Sequence, residues 1–115
     1  MTKLAKLISQ MEGFGKPGAV PTTHNNPGDL RSSPHSTHTP DNPHGIGWIA
    51  TLDDGWADLE RQLQLYASRK LTLSEVINLY APPVENNTGH YLDFVCKGLG
   101  CGPHALVSDV LRIPA

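Results

Sequence analysis

A small, mainly helical domain is the fold class this sequence predicts, α+β only in the sense of little or no β structure. Three observations point there. Apolar residues recur at intervals of three and four in four separate stretches. Three of those stretches open on capping residues, and three close on glycine or proline. One segment alone, Gly47-Trp48-Ile49-Ala50-Thr51-Leu52, has the short, partly alternating pattern of a strand or an extended lead-in.

The first helix is predicted over Lys3 to Met11, where Leu4, Leu7, Ile8 and Met11 form one apolar stripe. Glu12 follows at its end, immediately before the helix-stopping Gly13. A helix C-terminus carries partial negative charge, so a carboxyl held there against apolar neighbours keeps its proton to higher pH than usual. Cleavage of a glycosidic bond needs a protonated carboxyl of this kind. The plain alternative is a solvated residue at a frayed helix end. Gly15 to Thr23, rich in glycine and proline, reads as loop. Asn25-Asn26-Pro27-Gly28 then reads as a type II turn, with Pro27 at one corner and Gly28 at positive φ. The two amides suit either of two tasks: tying the loop's own backbone together, or meeting a sugar's hydroxyl and N-acetyl groups.

Ser32 to Gly45 has no hydrophobic period and contains His35, His38 and His44. A metal site is one reading, but metal-ligating histidines sit on held elements, and the composition reads as a solvated insertion. Asp53 or Asp54 is the predicted cap of a longer helix reaching about Arg69. Trp56, Leu59, Leu63 and Tyr66 mark its buried stripe, and Glu60, Arg61, Gln62, Gln64 and Arg69 its wet face. Trp56 reads as core; Trp48, leading out of a loop, suits a cleft wall as well. Thr72-Leu73-Ser74-Glu75 is a capping box opening a third helix with Val76, Ile77 and Tyr80, ended by Pro82-Pro83. Thr88 is the predicted cap of a fourth helix, with Tyr91, Leu92, Val95 and Leu99 on one side and Gly100 and Gly102 at its close. The tail after Gly102 is expected to pack back through Ala105, Leu106, Val107, Val110, Leu111 and Ile113, in no assigned conformation.

With 115 residues, no internal repeat and no linker, the chain reads as one domain, 1–115, with a small core. Eleven glycines and ten prolines beside 17% charged residues suggest short elements joined by shaped loops. The net charge of -2 argues against electrostatically driven binding to nucleic acid or an anionic membrane. No run is long and apolar enough to cross a bilayer. Ser9 and Gln10 break the apolar run after Lys3 and Lys6, so no signal peptide is read, and export implies another route or a mature form. Cys96 and Cys101 allow either a small-loop disulfide in an oxidising compartment or two thiols in a reduced one. They do not make a structural zinc site of the usual kind. A monomer without cofactor or metal is expected.

The motifs also have an order: Glu12-Gly13 closing a helix, Asn25-Asn26-Pro27-Gly28, the Gly55-Trp56 helix, then Tyr80-Ala81-Pro82-Pro83 with Glu85-Asn86-Asn87-Thr88 and Tyr91. From Leu4 to about Gly100 this order resembles the phage and bacterial lysozyme-like enzymes related to soluble lytic transglycosylases. The resemblance implies a lysozyme-like helical domain with Glu12 as catalytic acid. It places Tyr80 at the cleft near Glu12 and Tyr91 on the threonine-capped helix. Asn25, Asn26 and Asp29 would face substrate. Asp29 stands where the related pattern more often has asparagine, and the His-rich loop lies outside it.

The expected activity is cleavage of the β-1,4 bond between N-acetylmuramic acid and N-acetylglucosamine in peptidoglycan strands, at the bacterial cell wall. Glu12 would protonate the leaving oxygen. A lysozyme then delivers water with the help of a second carboxylate, for which Asp29, Asp41, Asp53 and Glu85 are candidates. A lytic transglycosylase lets the muramic acid's own hydroxyl attack and needs one carboxylate. The single-acid route is favoured because no second acid stands out. Two other classes compete: a non-catalytic glycan-binding domain on the same fold, and a metal-dependent peptidase using His35, His38, His44 and Asp41.

Overall fold

The computed structural model describes residues 1–81 and 87–115. The predicted stop at Pro82-Pro83, Asn86 and the candidate acid Glu85 lie outside the described residues. The architecture is mainly helical, with one two-stranded sheet among the described residues. In chain order the elements are α1 (Lys3–Glu12), α2 (Val20–Thr23), β1 (Ser36–Thr37), β2 (Trp48–Ile49), α3 (Leu52–Ser68), α4 (Leu73–Tyr80), α5 (Thr88–Leu99) and α6 (Val107–Val110).

The stripes predicted from spacing converge. α1 packs on α5 and α3, α4 on α5, and α6 on α3. Leu4 and Ile8, Leu59 and Leu63, Val76 and Ile77, and Val95 with Val107 form one buried cluster. Full burial of each such side chain is worth about 1.5–3 kcal/mol. At Gly98 a Cβ would lie 2.7 Å from both Leu7 methyls, so its bare backbone lets α1 approach α5. No helix among the described residues is long and apolar enough to cross a membrane.

Several local predictions need correction. Val20–Thr23 is a short helix, not loop, with Pro21 in its first turn, where a fixed φ and a missing N–H do no harm. Thr51, not Asp53 or Asp54, caps α3: its extended backbone lets Oγ1 accept from Asp54 N at 3.2 Å. The two aspartates fall in the first turn, against the positive helix end. Asn87 caps α5 by accepting from His90 N, and the Thr88 hydroxyl instead donates to the Ala81 carbonyl. The capping box of Thr72 and Glu75 forms in both directions. The tail makes α6 and two isolated bridges, Thr2 with Pro114 and Thr72 with Leu106, which draw it back onto α1 and α4. Leu106 itself stays exposed.

Nor is the His-rich segment loose. β1 and β2 pair antiparallel, Ser36 with Ile49 and Thr37 with Trp48. Asp58 on α3 is 2% exposed and clamps the loop. Its carboxylate accepts from the Ser33 hydroxyl at 2.5 Å, His35 N at 3.0 Å and His35 Nδ1 at 2.6 Å. Burial alone would push the Asp58 carboxyl up; these hydrogen bonds outweigh it and hold it below its ordinary value. The same contact with Asp58 raises the His35 imidazole. His38 Nε2 lies 2.6 Å from the Arg31 carbonyl and 3.1 Å from that of Gly45.

The turn at Asn26 differs from prediction in a way that positions the site. Asp29 N donates to Asn26 O at 3.0 Å, but Gly28 is not left-handed. Positive φ falls instead on Asn25 (50°) and Asp29 (52°), residue types that tolerate it. Gly28 is needed for contact: a Cβ there would lie 2.8 Å from Leu59 Cδ1. The Asn26 side chain is wholly buried. Its Nδ2 donates to Leu30 O (2.8 Å) and Gly47 O (3.0 Å), and its Oδ1 accepts from Leu30 N (3.0 Å). Asn26→Ala strands the Leu30 N–H and the Gly47 carbonyl, while Leu30 O keeps its bond from Gly47 N. The expected loss is about 2–3 kcal/mol, since each unpaired group costs roughly 1–3 kcal/mol and some will find water. A lowered urea midpoint at unchanged slope would show it.

Candidate functional site

Glu12 is the last residue of α1. Gly13 takes φ 90°, and the N–H groups of Gly13 and Phe14 turn back to the carbonyls of Gln10 and Ser9. The helix therefore stops abruptly at the acid. From there Glu12 Oε2 accepts from the Tyr91 hydroxyl at 2.9 Å, across 79 residues of sequence. Tyr91 is 4% exposed, anchored on the inner face of α5.

The second carboxyl at the site is Asp29. Its carboxyl lies beside that of Glu12, so that each bears on the other's proton. Asp29 Oδ1 is buried and receives no bond from any N–H or O–H among the described residues. Burial raises the Glu12 carboxyl most; the Tyr91 hydrogen bond opposes it, and the charge and contact of Asp29 add to it, giving a pKa of about 7. Asp29 is also raised, first by burial, but its contact with Glu12 and the positive fields of His24 and Arg31 pull it back. Such a pair titrates as a unit, and the surroundings put the retained proton on Glu12.

Tyr80, on the last turn of α4, has its hydroxyl buried without a partner among the described residues. Burial and then the charges of Tyr66, Glu12 and Asp29 hold its proton firmly. Its ring meets Tyr66 edge-on at 6.5 Å. Burial and the adjacent Glu12 do the same for the Tyr91 proton.

Of the residues singled out from sequence, Glu12, Asp29, Tyr80 and Tyr91 therefore come together. The two asparagines do not offer free amides. Asn26 is consumed by the loop, and Asn25 Nδ2 donates to Ile49 O (3.1 Å) and Ala50 O (3.3 Å), tying the loop to β2. Both side-chain nitrogens thus brace the loop, one of the two tasks the sequence allows them. Among the described residues no three His, Cys, Asp or Glu side chains converge as a metal site would require. His35 and His38 are turned to Asp58 and to carbonyls, away from a common point. Cys96 and Cys101 are free thiols at the end of α5, raised by burial.

Two aromatic features went unread. Phe14, two residues past Glu12, packs edge-on against Trp56 at 5.4 Å. His24 stacks on Trp48 at 3.6 Å. The signal for the second pair was a histidine directly before the paired asparagines and a tryptophan leaving the next loop.

Compared with protein-family models, curated proteins and solved structures, the chain matches none.

The Glu12 shift has a thermodynamic consequence. In the unfolded chain Glu12 releases its proton near pH 4.5, whereas in the fold it holds it to about 7. Between those values the native state binds more protons, so stability falls as pH rises through that window, fully above pH 7. Gln cannot ionise, can accept from Tyr91 and can donate to Asp29. Glu12→Gln should therefore melt above the parent at pH 8 and no higher than it at pH 4, by calorimetry at both pH values.

Proposed function

We propose that the protein cleaves the β-1,4 bond between N-acetylmuramic acid and N-acetylglucosamine in peptidoglycan, with Glu12 as general acid. One observation carries the reading: a helix-terminal carboxyl fixed by Tyr91 and Asp29 whose proton is retained to about pH 7. A general acid works best when its pKa lies near the working pH.

The contact between the carboxyls bears on the route. An inverting pair needs about 6.5–9.5 Å to admit water, and a retaining pair about 5–5.5 Å to span the anomeric carbon. Asp29 instead acts on the Glu12 proton itself. Asp29 on the same side as Glu12 is then a tuner of the acid rather than a nucleophile on the far face. This favours the single-acid course. Glu12 gives its proton to the leaving oxygen, the muramic acid's own 6-hydroxyl attacks the cationic carbon, and Glu12 takes that hydroxyl's proton. The product is a 1,6-anhydro end. Its place of action is the bacterial cell wall, and its partner the glycan strand, held by a shaped cleft because net charge supplies no attraction.

Glu12→Gln should lower clearance of purified sacculi by about 10²–10⁴-fold, the usual worth of a positioned acid, with the fold kept. Near-parental clearance would remove Glu12 from this role. Mass analysis of the products separates the routes: anhydro ends support transglycosylation, and reducing ends show hydrolysis.

Asp29→Asn suits the left-handed backbone and removes the charge that raises Glu12. Glu12 then loses its proton at lower pH, so the alkaline limb of the activity profile should move toward acid. An unmoved limb would sever Asp29 from the acid's titration.

A further inference from the structure

We propose that Trp48, backed by His24, is a stacking subsite for one pyranose ring of a β-1,4-linked amino-sugar chain, on the β2 side of the carboxyl pair. The inference rests on the glycan reading above and names a contact that reading leaves out.

Along β2 the side chains alternate: Ile49 is 3% exposed and Trp48 45%. A tryptophan left this open in a domain this small forfeits much of the hydrophobic gain its burial would bring. The ring is nonetheless held. His24 covers one face, with centroids 3.6 Å apart and planes inclined by 25°. His24 Nδ1 is buried without a hydrogen-bond partner among the described residues, so packing and not hydrogen bonding keeps the imidazole there. One indole face is thus occupied and the ring's exposed area is available to a ligand.

The platform is also fixed relative to the acid. Ile49 N donates to His24 O at 3.0 Å, and Asn25 Nδ2 reaches the carbonyls of Ile49 and Ala50. Thr37 pairs with Trp48 across the sheet. The strand that carries Trp48 is thereby bonded to the loop that carries Asp29, and His24 lies near enough for its charge to bear on Asp29. By contrast Trp56 is half-buried and packed against Phe14.

A β-linked pyranose presents a face of axial C–H groups, slightly positive and apolar, to which the negative face of an indole is complementary. Backing by His24 means little side-chain freedom is lost when the sugar arrives. His24 acts here as a positioning residue for Trp48.

The test uses chitotetraose as the soluble probe and Glu12→Gln as the background, so that no turnover intervenes. Titration should shift Trp48 emission to shorter wavelength, and the shift should vanish with Trp48→Phe. Trp48→Ala should weaken binding about tenfold, the order expected for losing one ring's contact. Trp48→Phe should keep most of the affinity. His24→Ala should weaken binding and His24→Phe restore it, which a purely structural role for His24 would not produce if melting temperatures stay equal. Equal affinity of Glu12→Gln with and without Trp48→Ala would overturn the subsite while leaving the acid's role intact. If chitotetraose fails to bind and the parent protein also leaves sacculi undegraded, the subsite and the glycan reading fall together.

Discussion

The buried side-chain amide of Asn26 is the interaction on which the arrangement depends. It joins Leu30, Gly47 and its own turn into one unit, using two N–H donors and an acceptor beside the backbone bond from Gly47 N to Leu30 O. A hydroxyl of similar size has only one hydrogen to give. Aspartate would present an acceptor to two carbonyls, and leucine would leave Leu30 N and Gly47 O unpaired. Two glycines let this unit lie against α3. At Gly55 a Cβ would collide with the Asn25 carbonyl, and at Gly28 with Leu59. The chain leaves the turn through Asp29 in a left-handed conformation, and that carries its carboxyl to the end of α1. Removing the amide loosens the loop that sets the second carboxyl beside Glu12.

The two carboxyls share a place but not their surroundings. Positive fields from His24 and Arg31 reach Asp29 and favour its charge. Glu12 has the negative charge of Asp29 as its neighbour and one neutral hydroxyl donor in Tyr91. Because each shift depends on the other's state, the pair behaves as one acid with a proton left over near neutrality. The proton resides on the residue that ends a helix, where its side chain is free of helix neighbours on one side.

How much of this was legible follows from the range of each interaction. Local periodicity placed α1, α3, α4 and α5, since stripes such as Leu4, Leu7, Ile8 and Leu59, Leu63 need no knowledge of the partner. The glycine after Glu12 located the helix end within one residue. Caps were misassigned where several candidates stood together: Thr51 beside Asp53 and Asp54, Asn87 beside Thr88. There the choice is made by backbone angles that composition does not reveal. The type II turn at Gly28 was misread because glycine's other use, close approach, depends on Leu59, thirty-one positions away. The clamp by Asp58 was invisible for the same reason: the aspartate sits on a helix face that looked merely polar, and its loop partners lie 23 and 25 positions upstream. Glu12 could be singled out, but its contacts with Tyr91 and Asp29 are tertiary. The apolar surroundings expected to raise its pKa are present as burial, while the second carboxyl, Asp29, could not be read locally.

Three buried polar atoms lack a partner among the described residues: His24 Nδ1, Asp29 Oδ1 and the Tyr80 hydroxyl. Each such group costs on the order of 1–3 kcal/mol, a large share of the roughly 5–15 kcal/mol that holds a domain together. Chance would scatter them. Instead Asp29 touches Glu12, His24 bears on Asp29, and Tyr80 feels the charges of both carboxyls. The rest of the described fold satisfies even awkward groups, as Asp58 and Asn26 show, so the defect is local rather than a general looseness. A small helical domain that braces one loop with a buried amide, and then leaves unpaired polar atoms at the point the loop is braced toward, concentrates its stability cost at that point, as functional sites do. The raised carboxyl at Glu12 belongs to the same trade: burial beside a second carboxyl destabilises the ionised fold and, by the same free energy, keeps the acid protonated.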